Sequence, residues 1–324
     1  MLNRPIGSAL PALRCSALPA GAGLLIESEG AAPFDALPKA QVEEWLQQYG
    51  ALILRGFRSG TAEFLDFSQK FSPKFSRYEG GGLQWKSLSR ERVRDDDTLL
   101  TTTGGDFGFY IPLHAEMHYT GHPPRLLWFF CEEAPDDRGE TLLADSRAMF
   151  DALRPKTRAY FLENPVRYCR RYKDGEWQAS FQTSDLSQLE SLCKQQKCEL
   201  LPDTDGAISI DYNISAVRQD DAGRNGFVNN VLVISYFAQA LEAGLAEQFM
   251  PDLKKQTSPV QVRLQSGSRI PAAILQELAD VARQVAVPHR WRTGDVAVID
   301  NFRMLHGRNE STDRVRRIYT RLGY

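Results

Sequence analysis

The chain has 324 residues, 42% of them hydrophobic and 25% charged, with a net charge of −2. That length and apolar content supply core for one large domain or two smaller ones. The near-neutral balance gives no basic field for nucleic acid and no acidic tail, and no apolar run reaches the 18 or so residues of a membrane span.

The N-terminus, Met1-Leu2-Asn3-Arg4-Pro5, does not lead into a long apolar region, so a cytoplasmic chain is expected. Five cysteines, Cys15, Cys131, Cys169, Cys193 and Cys198, are odd in number and widely scattered, which argues against a disulfide framework. Cys193 and Cys198 have neither the spacing nor the neighbours of a zinc knuckle.

In chain order, residues 1–38 are rich in Ala, Pro and Gly and predict irregular strands and turns. Lys39–Gln48 puts Val42, Trp45 and Leu46 on one side of an amphipathic helix, ended by Tyr49-Gly50. Ala51–Gly56 reads as a buried strand and Thr61–Phe71 as a second helix. From Ser72 to Phe109 the pattern is polar and irregular, with glycines at 80, 81, 82, 104 and 105. A loop of this length suits a substrate lid or an ordinary surface loop. Arg125–Cys131 is a central strand and Glu140–Ala144 a short one. Ser146–Leu153, capped by Asp145 or Ser146, is helical, and Pro155–Glu163 extends the helical region. Helices are predicted over Ser184–Gln196, Leu232–Phe249 and Ala272–Val285. Turns fall at Asp203–Gly206 and Asp221–Gly226. Strands close the chain at Asp295–Asp300 and Arg316–Leu322. Short strands with helices at the start and in a long insert, roughly 165–290, predict one domain with a β-barrel or jelly-roll core and α decorations.

Leu113-His114-Ala115-Glu116-Met117-His118-Tyr119 carries the chemistry. If this is a strand, alternation puts His114 and Glu116 on one face. An imidazole and a carboxylate make two ligands of a 2-His-1-carboxylate iron site. His306, in Asp300–Arg308, is a candidate third. The chain holds only five histidines. His118 would share the strand face and compete for the metal, although a pocket-lining role fits better, because a fourth ligand leaves fewer open positions. His122, before Pro123-Pro124, reads as a turn residue and His289 as a surface one. There is no H-E-x-x-H, G-x-S-x-G, Walker or G-x-G-x-x-G motif to favour zinc hydrolysis, serine catalysis or nucleotide binding.

Taken in order, several segments resemble the taurine dioxygenase/TfdA family of Fe(II)- and 2-oxoglutarate-dependent oxygenases. They are Tyr49–Phe57, Ile111–Tyr119 (IPLHAEMHY), Gly139–Asp145 (GETLLAD), Trp291–Arg308 (WRTGDVAVIDNFRMLHGR) and Arg316–Arg321 (RRIYTR). The resemblance implies a double-stranded β-helix (jelly-roll) core with flanking helices, Fe(II) as cofactor, and 2-oxoglutarate and O2 as co-substrates. It assigns the iron ligands to His114, Glu116 and His306. It assigns the far carboxylate of 2-oxoglutarate to Arg317 and Thr141, with Arg321 meeting co-substrate or substrate. A planar guanidinium suits a carboxylate in bidentate fashion.

Glu116 stands where taurine dioxygenase itself has Asp. That resembles the clavaminate-synthase-like and syringomycin-type amino-acid hydroxylase branch, and the presence of a carboxylate disfavours halogenation. The implied substrate is an amino acid, free or on a peptidyl carrier protein. His118, Arg170, Arg171, Asn229 and the Thr101–Phe107 loop are candidate contacts. Competing readings are catabolism of a small sulfonate or aryl-oxy acid, a desaturase or cyclase on the same centre, and a silent binding module on the same fold.

Overall fold

A computed structural model of the chain describes residues 13–76, 90, 92–93, 96–102, 109–181, 183–243, 260–311 and 316–324. Most of the expected lid, including its five glycines, lies outside the described residues, as does the end of the helix expected to reach Phe249.

Strands β1 (Leu13–Ala17) and β2 (Leu24–Ser28) form the described beginning of the chain. Helix α1 (Lys39–Tyr49) turns into β3 (Ala51–Arg55) at Gly50, which has φ 78° and would set a Cβ 2.6 Å from the Met304 sulfur. A side chain is excluded there twice over, by conformation and by space. Next come α2 (Thr61–Gln69), β4 (Arg92–Val93), β5 (Asp96–Thr101), β6 (Ile111–His114), β7 (Leu126–Glu133) and β8 (Thr141–Asp145). Asp145 caps α3 (Ser146–Ala152) by accepting from the Arg147 N–H, and α4 (Pro155–Glu163) starts on its proline.

The long middle segment holds β9 (Val166–Tyr172), α5 (Glu176–Phe181), α6 (Leu186–Gln195), β10 (Glu199–Pro202) and β11 (Ile208–Ile214). It continues with the hairpin β12 (Arg218–Gln219) and β13 (Asn225–Gly226), then α7 (Val231–Glu242) and β14 (Val260–Leu264). Helix α8 (Ala272–Val285) leads to β15 (Val287–His289), β16 (Val296–Asp300), β17 (Met304–Arg308) and β18 (Arg317–Gly323).

Among the described residues, an eight-stranded sheet runs β1-β2-β3-β16-β7-β18-β5-β4, and a four-stranded sheet runs β15-β8-β17-β6. One apolar layer joins them: Ile53, Phe129, Ile299 and Ile318 of the large sheet pack with Leu143 and Met304 of the small one. The opposite face of the large sheet, with Leu52, Leu54, Trp128, Val298 and Tyr319, is covered by Val42 and Leu46 of α1 and Phe64 and Phe67 of α2. Each such large apolar side chain contributes roughly 1.5–3 kcal/mol on burial. A third core lies behind the small sheet, where α3, α7 and α8 meet the sheet β10-β11-β9-β14. This is the expected jelly-roll core with helical cover. Among the described residues, no helix is long and apolar enough to cross a membrane.

Candidate metal centre

Strand β6 ends at His114, and its Cα partner across the ladder is His306 of β17. The close approach of the two strands depends on Gly307, where a Cβ would stand 2.5 Å from the Ile111 carbonyl oxygen. The two imidazole centroids lie 4.3 Å apart. Glu116 is not on the strand, as alternation had suggested, but in the turn that follows it; its carboxylate returns to within 3.5 Å of His306 Nε2. One donor atom from each of His114, Glu116 and His306 lies within 4.8 Å of the other two. These three residues would hold a divalent cation, each offering one ligand atom.

The local chemistry fits a cation. His114 Nδ1 lies 2.9 Å from the Pro112 carbonyl, which fixes the Nδ1–H tautomer and leaves Nε2 as a lone-pair donor. Burial, with His306 nearby, pushes the His114 pKa down to about 3, so the ring is neutral at physiological pH. Burial alone would raise the Glu116 carboxyl, but the Arg90 guanidinium at 2.6 Å, together with the two histidines, holds it well below the usual range. A neutral imidazole and an ionised carboxylate are the forms that bind metal.

The cavity beside these donors is walled by Phe129, Tyr119 and Thr102 and by Val233, Ile234 and Phe237 of α7. Thr141 also lines it. The Thr141 hydroxyl accepts from Trp291 Nε1 at 3.0 Å, which leaves its own O–H to donate into the cavity. Two arginines, Arg308, which is buried, and Arg316, which is half-buried, complete the wall. Burial lowers Arg316 to about 10 and, with Arg316 as neighbour, Arg308 to about 9, so both remain cationic near neutrality. Arg316 donates to the Gly139 carbonyl and to Thr102 Oγ1, each at 3.1 Å.

Several expected positions fall elsewhere. Arg317 is more than half exposed and pairs with Glu133 and, at 3.4 Å, with Glu132, on the face of β18 turned away from the cavity. Arg321 shares that outer face, where Thr98, Ser68, Gln69 and the Leu65 carbonyl accept its hydrogen bonds and the Phe75 ring lies 3.7 Å away. Neither Arg317 nor Arg321, which were expected to meet a co-substrate, lines the cavity, and Arg316 does so instead. This is the one-residue change of parity that inverts a strand.

His118 is buried against the Phe302 ring at 5.1 Å, and burial with Arg218 nearby lowers it to about 4; it is not among the cavity residues. Arg170 stacks over Tyr172 at 4.2 Å, and Arg171 reaches Asp203. The Asn229 side chain is consumed by the Ala216 carbonyl and the Val231 N–H, so its neighbour Asn230 lines the cavity instead. His289, expected at the surface, is buried on β15, 3.5 Å from Asp295. Sequence reasoning missed Arg90, Arg308 and Arg316 as cavity residues, whereas Thr102 belongs to the Thr101–Phe107 loop expected to make contacts. Arg308 and Arg316 stood inside the quoted motifs, but nothing in their spacing said which arginine faces inward.

Two histidines on paired strands and a carboxylate in the turn beside them converge on one cavity of a jelly roll, a donor set suited to a single metal ion. Residues 19–322 match the model of the taurine catabolism dioxygenase TauD, TfdA family, and the chain belongs to that family of Fe(II)- and 2-oxoglutarate-dependent dioxygenases. It is 25% identical over 272 residues to the dapdiamide synthesis protein DdaC of Enterobacter agglomerans, covering 82% of this chain and 80% of DdaC. It is also 25% identical to a clavaminate synthase-like protein of Arabidopsis thaliana, covering 83% and 80%. In fold it resembles PvcB of Pseudomonas aeruginosa, with a TM-score of 0.53, 17% identity, and coverage of 100% of this chain and 95% of that one.

Proposed function

We propose that His114, Glu116 and His306 hold Fe(II), and that Arg316 and Thr141 take the far carboxylate of 2-oxoglutarate. In this reading the chain is one oxygenase domain. It hydroxylates an aliphatic carbon of an amino acid, free or as an aminoacyl group on a carrier protein, in the making of a natural product. The observation that carries the reading is the convergence of three donors from segments about 190 residues apart, beside a half-buried arginine that no described carboxylate pairs with. The kinship to a dapdiamide synthesis protein supports a biosynthetic setting.

When bound, the iron with its co-substrate supplies the oxidising power for attack on a C–H bond. The chain's own residues supply position and exclusion of water. Arg316, preorganised by Gly139 and Thr102, offers a fixed cation for the carboxylate. Thr141 donates one hydrogen bond beside it. Val233, Ile234 and Phe237 form a dry wall against which an aliphatic side chain can rest near the metal.

Anaerobic titration with Fe(II) and 2-oxoglutarate tests the centre through the visible charge-transfer band of the chelate, with Glu116→Ala and His306→Ala beside the wild type. The band is expected in wild type and lost or weakened in both variants; a folded wild type without it would sink the reading. Product mass then separates the chemistries: a gain of one oxygen marks hydroxylation, and a loss of two hydrogens marks desaturation.

A further inference from the structure

We propose that Asn301 sets the direction of the Glu116 carboxylate and locks the two halves of the metal centre together. This rests on the reading of His114, Glu116 and His306 as metal ligands. Because β6 stops at His114, no ladder bond holds Glu116. Its backbone is held instead by one side chain. The Glu116 N–H donates to Asn301 Oδ1 at 2.7 Å, and Asn301 Nδ2 donates to the Glu116 carbonyl at 2.9 Å and to the Pro124 carbonyl at 2.8 Å. The peptide groups on both sides of the Glu116 Cα are thus gripped by one planar carboxamide.

Asn301 is fully buried. One N–H and two carbonyls around it permit a single orientation of its amide. Its own N–H donates to the Arg125 carbonyl at 3.0 Å, so the clamp is itself anchored. The next residue after Glu116, Met117, sits at φ 58°, a left-handed conformation that a side chain disfavours and that the surrounding bonds must hold. Asn301 also lies in the β16–β17 turn, five residues before His306. One rigid turn therefore carries one ligand and orients another from far away in sequence. No other residue type reproduces the grip. Asp keeps the acceptor but turns a second oxygen onto two carbonyls, Gln is a methylene too long, and Ala loses all three bonds.

Asn301 is a positioning residue, and metal uptake without turnover tests it. Mn(II) binding to the full chain is followed by electron paramagnetic resonance, with thermal unfolding of the metal-free protein alongside. Asn301→Asp and Asn301→Ala are expected to raise the Mn(II) Kd at least tenfold and to broaden the bound spectrum, while the metal-free protein still unfolds cooperatively. A Kd within twofold of wild type in a folded variant overturns the proposal. Should both variants fail to fold, hydrogen exchange at the Glu116 amide of the metal-free wild type decides: protection matching that of the β6–β17 ladder supports the clamp, and exchange as fast as in an open turn overturns it. Wild-type protein that takes up no Mn(II) overturns the metal reading and this inference together, whereas wild-type uptake with indifferent variants overturns the inference alone.

Discussion

A guanidinium taken out of water costs several kcal/mol unless an anion or well-placed acceptors meet it. Arg316 is half-buried with two neutral partners, whereas its neighbour Arg317 stands in solvent beside two glutamates. Exposed pairs such as the latter contribute about 0–1 kcal/mol. Two charge-assisted bonds to a carboxylate contribute about 3 kcal/mol or more, a factor above 100 in affinity. Arg316→Met should therefore raise the 2-oxoglutarate Kd by about two orders of magnitude, and Arg317→Met should leave it within twofold, as read from the titrated chelate band. The sequence shows which of these residues share a face, because alternation is geometric. It does not show which face is inward. Ile318 and Leu322 make one face of β18 apolar and Tyr319 does the same for the other, since the strand is covered on both sides. His114, Glu116 and His306 were legible because ligand chemistry restricts residue type, while Arg90 had no motif around it.

At the scale of elements, amphipathic helices and buried strands were readable: α1, β3, α4 and α8 begin and end within a residue or so of their expected bounds. The step from β6 into a turn was not, because an H-x-E spacing suits either geometry. The β6–β17 contact depends on Gly307, so Gly307→Ala should force the strands apart. Overpacking of this kind typically costs 1–3 kcal/mol, and the variant should melt earlier and bind Mn(II) weakly, as calorimetry and resonance would show. Helix α7 gives the cavity its apolar wall through Val233, Ile234 and Phe237. Ile234→Trp should fill that space. The chelate band should survive while substrate-stimulated succinate release falls at least tenfold; loss of the band as well would show that the wall supports the metal centre rather than the substrate.

The whole molecule is tied together by buried ion pairs between distant strands. Arg55 of β3 holds Asp295 at 2.6 Å, just before β16. Burial alone would raise the Asp295 carboxyl, but His289, Arg55 and the Arg292 N–H outweigh it and hold it below the usual range. Asp145, bound by Arg147 and Arg303, is lowered in the same way. A depressed carboxylate contributes stability at every pH above its unfolded value, about 3.9, and loses it as pH falls through the folded value. The melting temperature should be level in this respect above about pH 5 and fall below about pH 4, with a shallower fall in Asp295→Asn. Asp295→Ala at pH 7 leaves Arg55 without its partner and should cost about 3–5 kcal/mol in chemical denaturation.

Strand β18 does not lie at the rim of the large sheet but between β7 and β5. Its principal partner, β7, emerges from the ribosome about 180 residues earlier. At 5–20 residues per second, β7 waits roughly 10–40 s, and for most of that time both its flanks are unpaired, because its other neighbour, β16, is also made late. An open apolar strand is a template for unwanted pairing, so the nascent chain is at its most aggregation-prone during that interval. The third donor, His306, is on β17, so the three-donor site is complete only about 190 residues after His114 and Glu116 have been made.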